Sequence, residues 1–165
     1  MTKNESSQKN ETKIKIYTDG SARGNPGKAG WAVIFIIDKK EIELGGSSSH
    51  ATNNQMELTA PIEALKYLNN LPHVRHVGEV EIFSDSKYVI LGITEWIFNW
   101  QKNNWRNAAK KPVLNKELWE ELYELTQKFQ IKWTYVEGHM GNKYNERADE
   151  IATNFADGNE IELKS

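Results

Sequence analysis

Residues 13–44 read KIKIYTDGSARGNPGKAGWAVIFIIDKKEIEL, and the apolar spacing of this run decides the fold class. Ile14 and Ile16 alternate with lysines up to Tyr17 and Thr18, residues 30–37 are β-branched and aromatic, and residues 41–44 alternate again beyond an Asp38-Lys39-Lys40 turn. Period-two alternation broken by short polar turns predicts a meander of three strands. Further on, Thr52-Asn53-Asn54-Gln55 has the form of a capping box, and Leu58, Ile62 and Leu65 form the stripe of a helix to about residue 70. Pro61 predicts a bend in it, since it cannot donate to the carbonyl of Glu57. A strand at 79–84, short helices at 86–91 and 94–103, and a polar basic link to Pro112 come next. Leu118, Leu122, Leu125 and Phe129 then mark a helix capped by Asn115, before a strand at 131–136. A glycine-flanked loop at 138–142 leads to a last helix with Tyr144, Ala148, Ile151, Ala152 and Phe155 on one face. The order βββ-α-β-α-α-α-β-α predicts an α/β fold with one mixed five-stranded sheet, in which three antiparallel strands are joined by parallel additions and helices cover both faces.

The chain of 165 residues is long enough for one core, read here as a single domain over 13–156. Residues 1–12 and 157–165 lack apolar periodicity and are expected to be disordered polar tails. No apolar run approaches the roughly 18–20 residues of a membrane span, and the polar start is unlike a signal peptide, so a soluble, cytoplasmic and monomeric protein is expected. Cysteine is absent, which excludes disulfides and thiolate chemistry; any metal must sit on oxygen or imidazole. The net charge of −2 hides a local excess, because residues 87–116 carry six basic side chains against Glu95 alone.

Four acids attract attention, and each has an ordinary reading beside a chemical one. Asp19 stands in Asp-Gly, the favoured hairpin turn, yet a glycine-rich loop follows where a partner strand should. Asp85 follows the fourth strand as an N-cap would; if strands one and four are parallel neighbours, both acids lie at strand carboxyl ends, where open α/β sheets place their sites. Glu57 heads a stripe of Pro61, Ala64 and Leu68, or serves as a helix-dipole partner. Asp149 flanks the apolar face of the last helix, with Ala152 and Ala156 below it, or is a surface charge. Brought together, four carboxylates would raise one another's pKa values, so such a cluster makes sense only around cations. All-oxygen ligation favours Mg2+, with Mn2+ as a substitute, and two ions about 3.5–4 Å apart suit in-line phosphodiester hydrolysis.

The segments YTDGSARGNPGKAGW, ATNNQMELTAPIEAL, IFSDSKYV, GITEWIFNW, AAKKPVLNKELW and VEGHMGNKYNERADEIA together resemble bacterial type 1 ribonuclease H, from about residue 14 to 155. The resemblance implies the ribonuclease H fold and an endonuclease that cuts the RNA strand of RNA/DNA hybrids. It carries the catalytic, metal-holding acids onto Asp19, Glu57, Asp85 and Asp149, and makes His139 the histidine of a mobile loop. It sets Ser21, Asn25, Asn53 and Asn54 along the hybrid's minor groove, where amides can read 2′-hydroxyls, and Thr52 at a DNA phosphate. Residues 93–111 resemble the family's basic protrusion, with Trp96, Trp100 and Trp105 between Lys102, Arg106, Lys110 and Lys111. Most of the tryptophan area is expected to be core. Gln101, Asn103 and Asn104 make this protrusion less basic than is usual, which predicts weaker, less salt-dependent binding. A catalytically silent hybrid-binding module is the alternative, opposed by the intact acids. A transposase or integrase core would need appended domains, and a metal-free ribonuclease would need converging histidines that His50, His73, His76 and His139 do not supply.

Overall fold

In the computed structural model, which describes residues 12–71, 77–138 and 140–165, the first three strands outrun their apolar stretches. Strand β1 spans Thr12–Ala22, β2 Gly27–Ile37 and β3 Lys40–Ala51. Asp19, Gly20 and Ser21 stand opposite Ala32, Trp31 and Gly30 in the antiparallel β1–β2 ladder, so backbone pairing extends the strand through residues with little β propensity. The remaining elements are α1 (Asn53–Asn69), β4 (Val77–Ser84), α2 (Lys87–Leu91), α3 (Ile97–Lys102), α4 (Lys116–Thr126), β5 (Gln130–Tyr135) and α5 (Lys143–Asp157).

The sheet order is β3-β2-β1-β4-β5, antiparallel on the β1–β2–β3 side and parallel where β4 joins β1 and β5 joins β4. This is the expected mixed sheet. Neighbouring residues of β2 serve opposite faces: Val33 and Phe35 join Ile14, Ile16 and the apolar stripes of α1 and α4, while Ala32 and Ile34 join Tyr17, Ala148, Ile151 and Ala152 of α5. Helices therefore cover both faces, and α1, wedged between sheet and α4, runs unbroken through Pro61.

Three local expectations need correction. The two short helices predicted on either side of residue 92 are joined by a π-helical turn, Gly92–Trp96. Gly92 does not break the run: the ring of fully buried Trp119 packs where its Cβ would stand, 2.0 Å from Cη2. Asn115 does precede α4, but in a left-handed conformation with no capping bond from its side chain, whose Nδ2 donates instead to the Tyr88 hydroxyl at 3.1 Å. The helix also stops at Thr126, leaving Phe129 in the turn before β5.

The C-terminal tail is not loose. Asp157 closes α5, Gly158 turns the chain with φ 73°, Ile161 and Leu163 pack on the α5 side of the sheet, and the backbones of Glu43 and Lys164 bond at 2.8 Å. Two apolar residues are too few to register as periodicity, yet suffice beside an edge strand. At the other end, Thr12 already pairs with Val77; the rest of the predicted N-terminal tail lies outside the described residues.

Candidate active site

Tyr17 and Phe83 are register partners in the parallel β1–β4 ladder, with rings stacked at 4.5 Å. Asp19 and Asp85 each follow two residues later, at the carboxyl edge of the sheet. The hairpin reading of Asp19-Gly20 fails because both residues lie inside β1. A Cβ on Gly20 would stand 2.5 Å from Glu57 N and 2.6 Å from the Met56 carbonyl carbon, so α1 crosses β1 in backbone contact. That contact carries Glu57 to Asp19, and the Gly20 N–H donates to Asp19 Oδ1 and Glu57 Oε1, both at 2.9 Å. The capping reading of Asp85 also fails. Ser86 caps α2 by accepting from Val89 N at 3.2 Å, while Asp85 lies against the loop after β5, where a Cβ on Gly138 would meet its Oδ2 at 3.0 Å.

Carboxylate oxygens of Asp19, Glu57 and Asp85 all lie within 4.8 Å of one another. Asp149, half-buried on α5, stands outside that group, though its charge reaches both Asp19 and Glu57. Burial pushes the Asp19 carboxyl up, and the charges of Glu57, Asp85 and Asp149 add to it. Glu57 is also pushed up, first by burial and then by Asp85 and Asp149, against hydrogen bonds from Asp19 and Gly20 that favour its charge. The pair thus holds a proton unless a cation replaces it. Glu57 Oε2 is buried with no hydrogen-bond partner among the described residues, a loss a folded protein rarely tolerates. Three convergent carboxylates, one of which carries an orphaned oxygen, fit a hard divalent cation. His139 lies outside the described residues.

The expected substrate residues fall in two places. Ser21 is at the end of β1, and Asn25 Oδ1 accepts from Asn53 N at 3.1 Å, tying the β1–β2 loop to the N-terminus of α1. Asn54 is exposed beside them. The capping box is present: Thr52 Oγ1 accepts from Gln55 N at 3.1 Å and Gln55 Oε1 from Thr52 N at 2.8 Å, leaving the Thr52 hydroxyl proton for an outside acceptor. The second place is the protrusion. Trp100 packs on Trp119 at 5.3 Å and Trp105 on Trp100 at 6.2 Å, so these tryptophans are mostly scaffold; Trp96 remains 38% exposed. The link beyond α3 is shaped by left-handed Asn104, Trp105 and Lys110, an Arg106–Pro112 bridge, and Asn107 Oδ1 accepting from Ala109 N and Lys111 N. A tryptophan at positive φ is rare; Trp105 is fixed there by bonds to Trp100 O at 2.7 Å and from Val113 N at 2.9 Å. Lys102, Arg106, Lys110 and Lys111 are all exposed on this frame.

Sequence reasoning missed the Gly20 N–H, whose signal was an Asp-Gly pair with no strand directly after it. It also missed Arg147, which grips the buried Glu43 carboxylate of β3 through Nε at 2.8 Å and Nη2 at 3.0 Å. Arginine and carboxylate lie 104 residues apart, beyond the reach of local spacing. No helix of the described residues is long and apolar enough to cross a membrane.

Known proteins share both the sequence and the geometry. The RNase H family model matches residues 11–157. A ribonuclease H of Erythrobacter litoralis is 46% identical over 145 residues, covering 88% of this chain and 96% of that protein. One from Orientia tsutsugamushi is 47% identical over 154 residues, covering 93% and 88%. Among solved structures, LC9-RNase H1, described as a type 1 RNase H with the type 2 active-site motif, superposes with a TM-score of 0.74 at 26% identity, over 91% of this chain and 74% of that one. LC11-RNase H1 in complex with an RNA/DNA hybrid gives 0.68 at 28% identity, over 88% and 97%. With acids at adjacent strand ends and on a crossing helix, inside a sheet of the same architecture, this chain belongs to the ribonuclease H family of enzymes.

Proposed function

We propose that the chain hydrolyses the RNA strand of RNA/DNA hybrids in a reaction dependent on Mg2+, with Mn2+ as a substitute and two ions per site when substrate is bound. The observation that carries this reading is the convergence of Asp19, Glu57 and Asp85 oxygens within 4.8 Å, with Glu57 Oε2 orphaned. Bound divalent ions would activate water and stabilise the leaving oxygen of the phosphodiester. Asp19 of β1, Glu57 of α1 and Asp85 after β4 would hold the ions, with Asp149 of α5 completing the set. Gly20 N–H fixes the Asp19 and Glu57 carboxylates so that they need not reorganise on binding. Ser21, Asn25, Asn53 and Asn54 read the minor groove, and Thr52 donates to a phosphate. Trp96 offers a stacking face, while Trp100 and Trp105 support the frame on which Lys102, Arg106, Lys110 and Lys111 meet the backbone of the partner strand. His139 assists water placement or product departure. The hybrid bound to LC11-RNase H1 supports the substrate class; the protein is read as a cytoplasmic monomer.

Cleavage of a labelled hybrid tests the reading. Expected are 5′-phosphate and 3′-hydroxyl ends, loss of activity in chelator and loss in Asp19→Asn. Products ending in 2′,3′-cyclic phosphate, or activity surviving chelation, would overturn the mechanism; tight hybrid binding without cleavage would make the chain a silent binding module.

A further inference from the structure

Asp149 is the one acid of the four carried by α5, which meets the sheet in backbone contact at Gly30 of β2 rather than on β1 or β4. Its position depends on how α5 lies on the sheet. Side chains on a helix are spaced by about 100°, so Arg147 and Asp149 flank fully buried Ala148 on opposite sides. Arg147 points to the β3 edge and Asp149 toward the acids. The β3 side is anchored by a dense polar lock. Arg147 forks onto Glu43, whose side chain is 1% exposed, and its Nη2 also donates to Glu162 O at 2.9 Å. Tyr144, one turn earlier, donates to Glu41 Oε1 at 2.9 Å. Both glutamates are held by one residue of the C-terminal segment: Lys164 N donates to Glu43 Oε1 at 3.0 Å and Lys164 Nζ to Glu41 Oε2 at 2.7 Å.

We propose that residues 159–165 form a strap that locks the rotation of α5 through Glu41, Glu43, Tyr144 and Arg147, making Arg147 and Lys164 positioning residues for Asp149. The proposal rests on the function given above and deepens it. A carboxylate lies about 6 Å from its helix axis, so a turn of about 10° displaces it by about 1 Å, enough to spoil shared coordination. Packing of α5 on Ala32 and Ile34, with the Ala152 carbonyl against Gly30 of β2, fixes its height above the sheet, whereas apolar contact is non-directional and constrains rotation about the helix axis less. The polar lock removes that freedom.

The test compares the full chain with a chain ending at Gly158, with Arg147→Lys, which keeps the charge but loses the fork, and with Lys164→Ala. Mn2+ binding to the free protein by calorimetry, thermal midpoint, and KM and kcat on a hybrid are measured. Expected in the shortened chain is Mn2+ affinity lowered about 10-fold, as when a ligand's supporting partner is removed, with hybrid KM unchanged and excess metal recovering kcat. Arg147→Lys and Lys164→Ala should show part of the same loss, and they carry the test if the shortened chain does not fold. Mn2+ affinity equal to that of the full chain in the folded shortened chain, or in both point variants, overturns the strap whatever the midpoint does. Glu160→Gln with Glu162→Gln should leave affinity unchanged; a full loss there would mean that the segment acts by its charge and would overturn the lock. If the full chain itself neither binds Mn2+ nor cleaves, the proposed function falls as well.

Discussion

Replacing Gly20 by alanine probes the contact on which the acid cluster depends. The added Cβ would stand 2.5 Å from Glu57 N, 2.6 Å from Met56 C and 2.8 Å from Met56 Cβ, where ordinary contact begins at 3.4 Å. Two of the three obstacles are backbone, so no rotamer change relieves them, and α1 must retreat from β1 by about 0.9 Å. Overpacking of this kind costs about 1–3 kcal/mol, a fall in midpoint of about 3–10 °C for a chain of this size. The larger effect is on geometry. Retreat lengthens the 2.9 Å Gly20 N–H bond to Glu57 Oε1 and parts Glu57 from Asp19, and a displacement near 1 Å at a reacting centre costs about 10²-fold in rate. Urea denaturation and a kcat measurement at saturating hybrid, across a Mg2+ titration, read the two effects separately. A folded Gly20→Ala protein with kcat within about threefold of the parent would refute the claim that this crossing sets the carboxylates.

Asp19→Asn should abolish hydrolysis yet stabilise the metal-free fold near neutral pH, because it removes a buried acid. The sign follows from the raised folded pKa values of Asp19 and Glu57, against 3.8 and 4.5 unfolded. Their contribution is fully present below about pH 4 and is lost as pH rises through the folded values, so melting in chelator should worsen from about pH 5 to pH 9 in the parent and less so in Asp19→Asn. A flat profile in the parent would refute it. Four exposed cations on the protrusion, Lys102, Arg106, Lys110 and Lys111, should give a hybrid-binding slope of log K on log salt of about −3 to −4, reduced by about 1 in Lys110→Ala; a slope steeper than about −6 would show that phosphates are held elsewhere too. Trp119→Ala should cost about 3–5 kcal/mol in urea denaturation, since the ring is fully buried against Gly92, Tyr88 and Trp100; a loss below about 1 kcal/mol would mean that the π-helical turn does not depend on it.

Much of this was legible in the chain because the signals are local. Alternation at Ile14 and Ile16, the capping box at Thr52 and Gln55, and the stripe through Ala148 and Ile151 each lie within a dozen residues and correspond to β1, α1 and α5. What the chain hid is relational. Nothing around Asp19 says that β1 continues through Gly20, because pairing with Trp31 of β2 extends it. The sequence divides this stretch into two short helices at 86–91 and 94–103, and nothing local to it shows that Trp119, 27 residues away, packs where a Gly92 side chain would stand. Lys164 looks like the end of a polar tail, and only the edge of β3 gives it partners. The acids themselves were individually ordinary; their joint placement, at two strand ends and on two helices, made them one candidate metal site, and the family resemblance added the substrate.

The site sets two requirements against each other. A group of carboxylates must be rigid enough to meet a metal without rearrangement, yet buried carboxylates repel and resist ionisation, which loosens whatever holds them. Here the acids are divided among separately stabilised supports. Asp19 and Asp85 sit at the ends of parallel strands whose cores include Ile14, Ile16, Val80 and Ile82, all essentially solvent-free. Glu57 is held by a backbone crossing that only glycine permits. Asp149 lies on a helix whose far flank is fixed by the Glu43–Arg147 pair. That pair has the property the acid cluster lacks in the absence of metal: its buried carboxylate is neutralised, and the Arg147 fork lowers the Glu43 pKa where Asp19 and Glu57 are raised. Compensated charge at the β3 edge thus supports uncompensated charge at the carboxyl edge of β1, where the divalent cation of the proposed function would supply the missing positive charge.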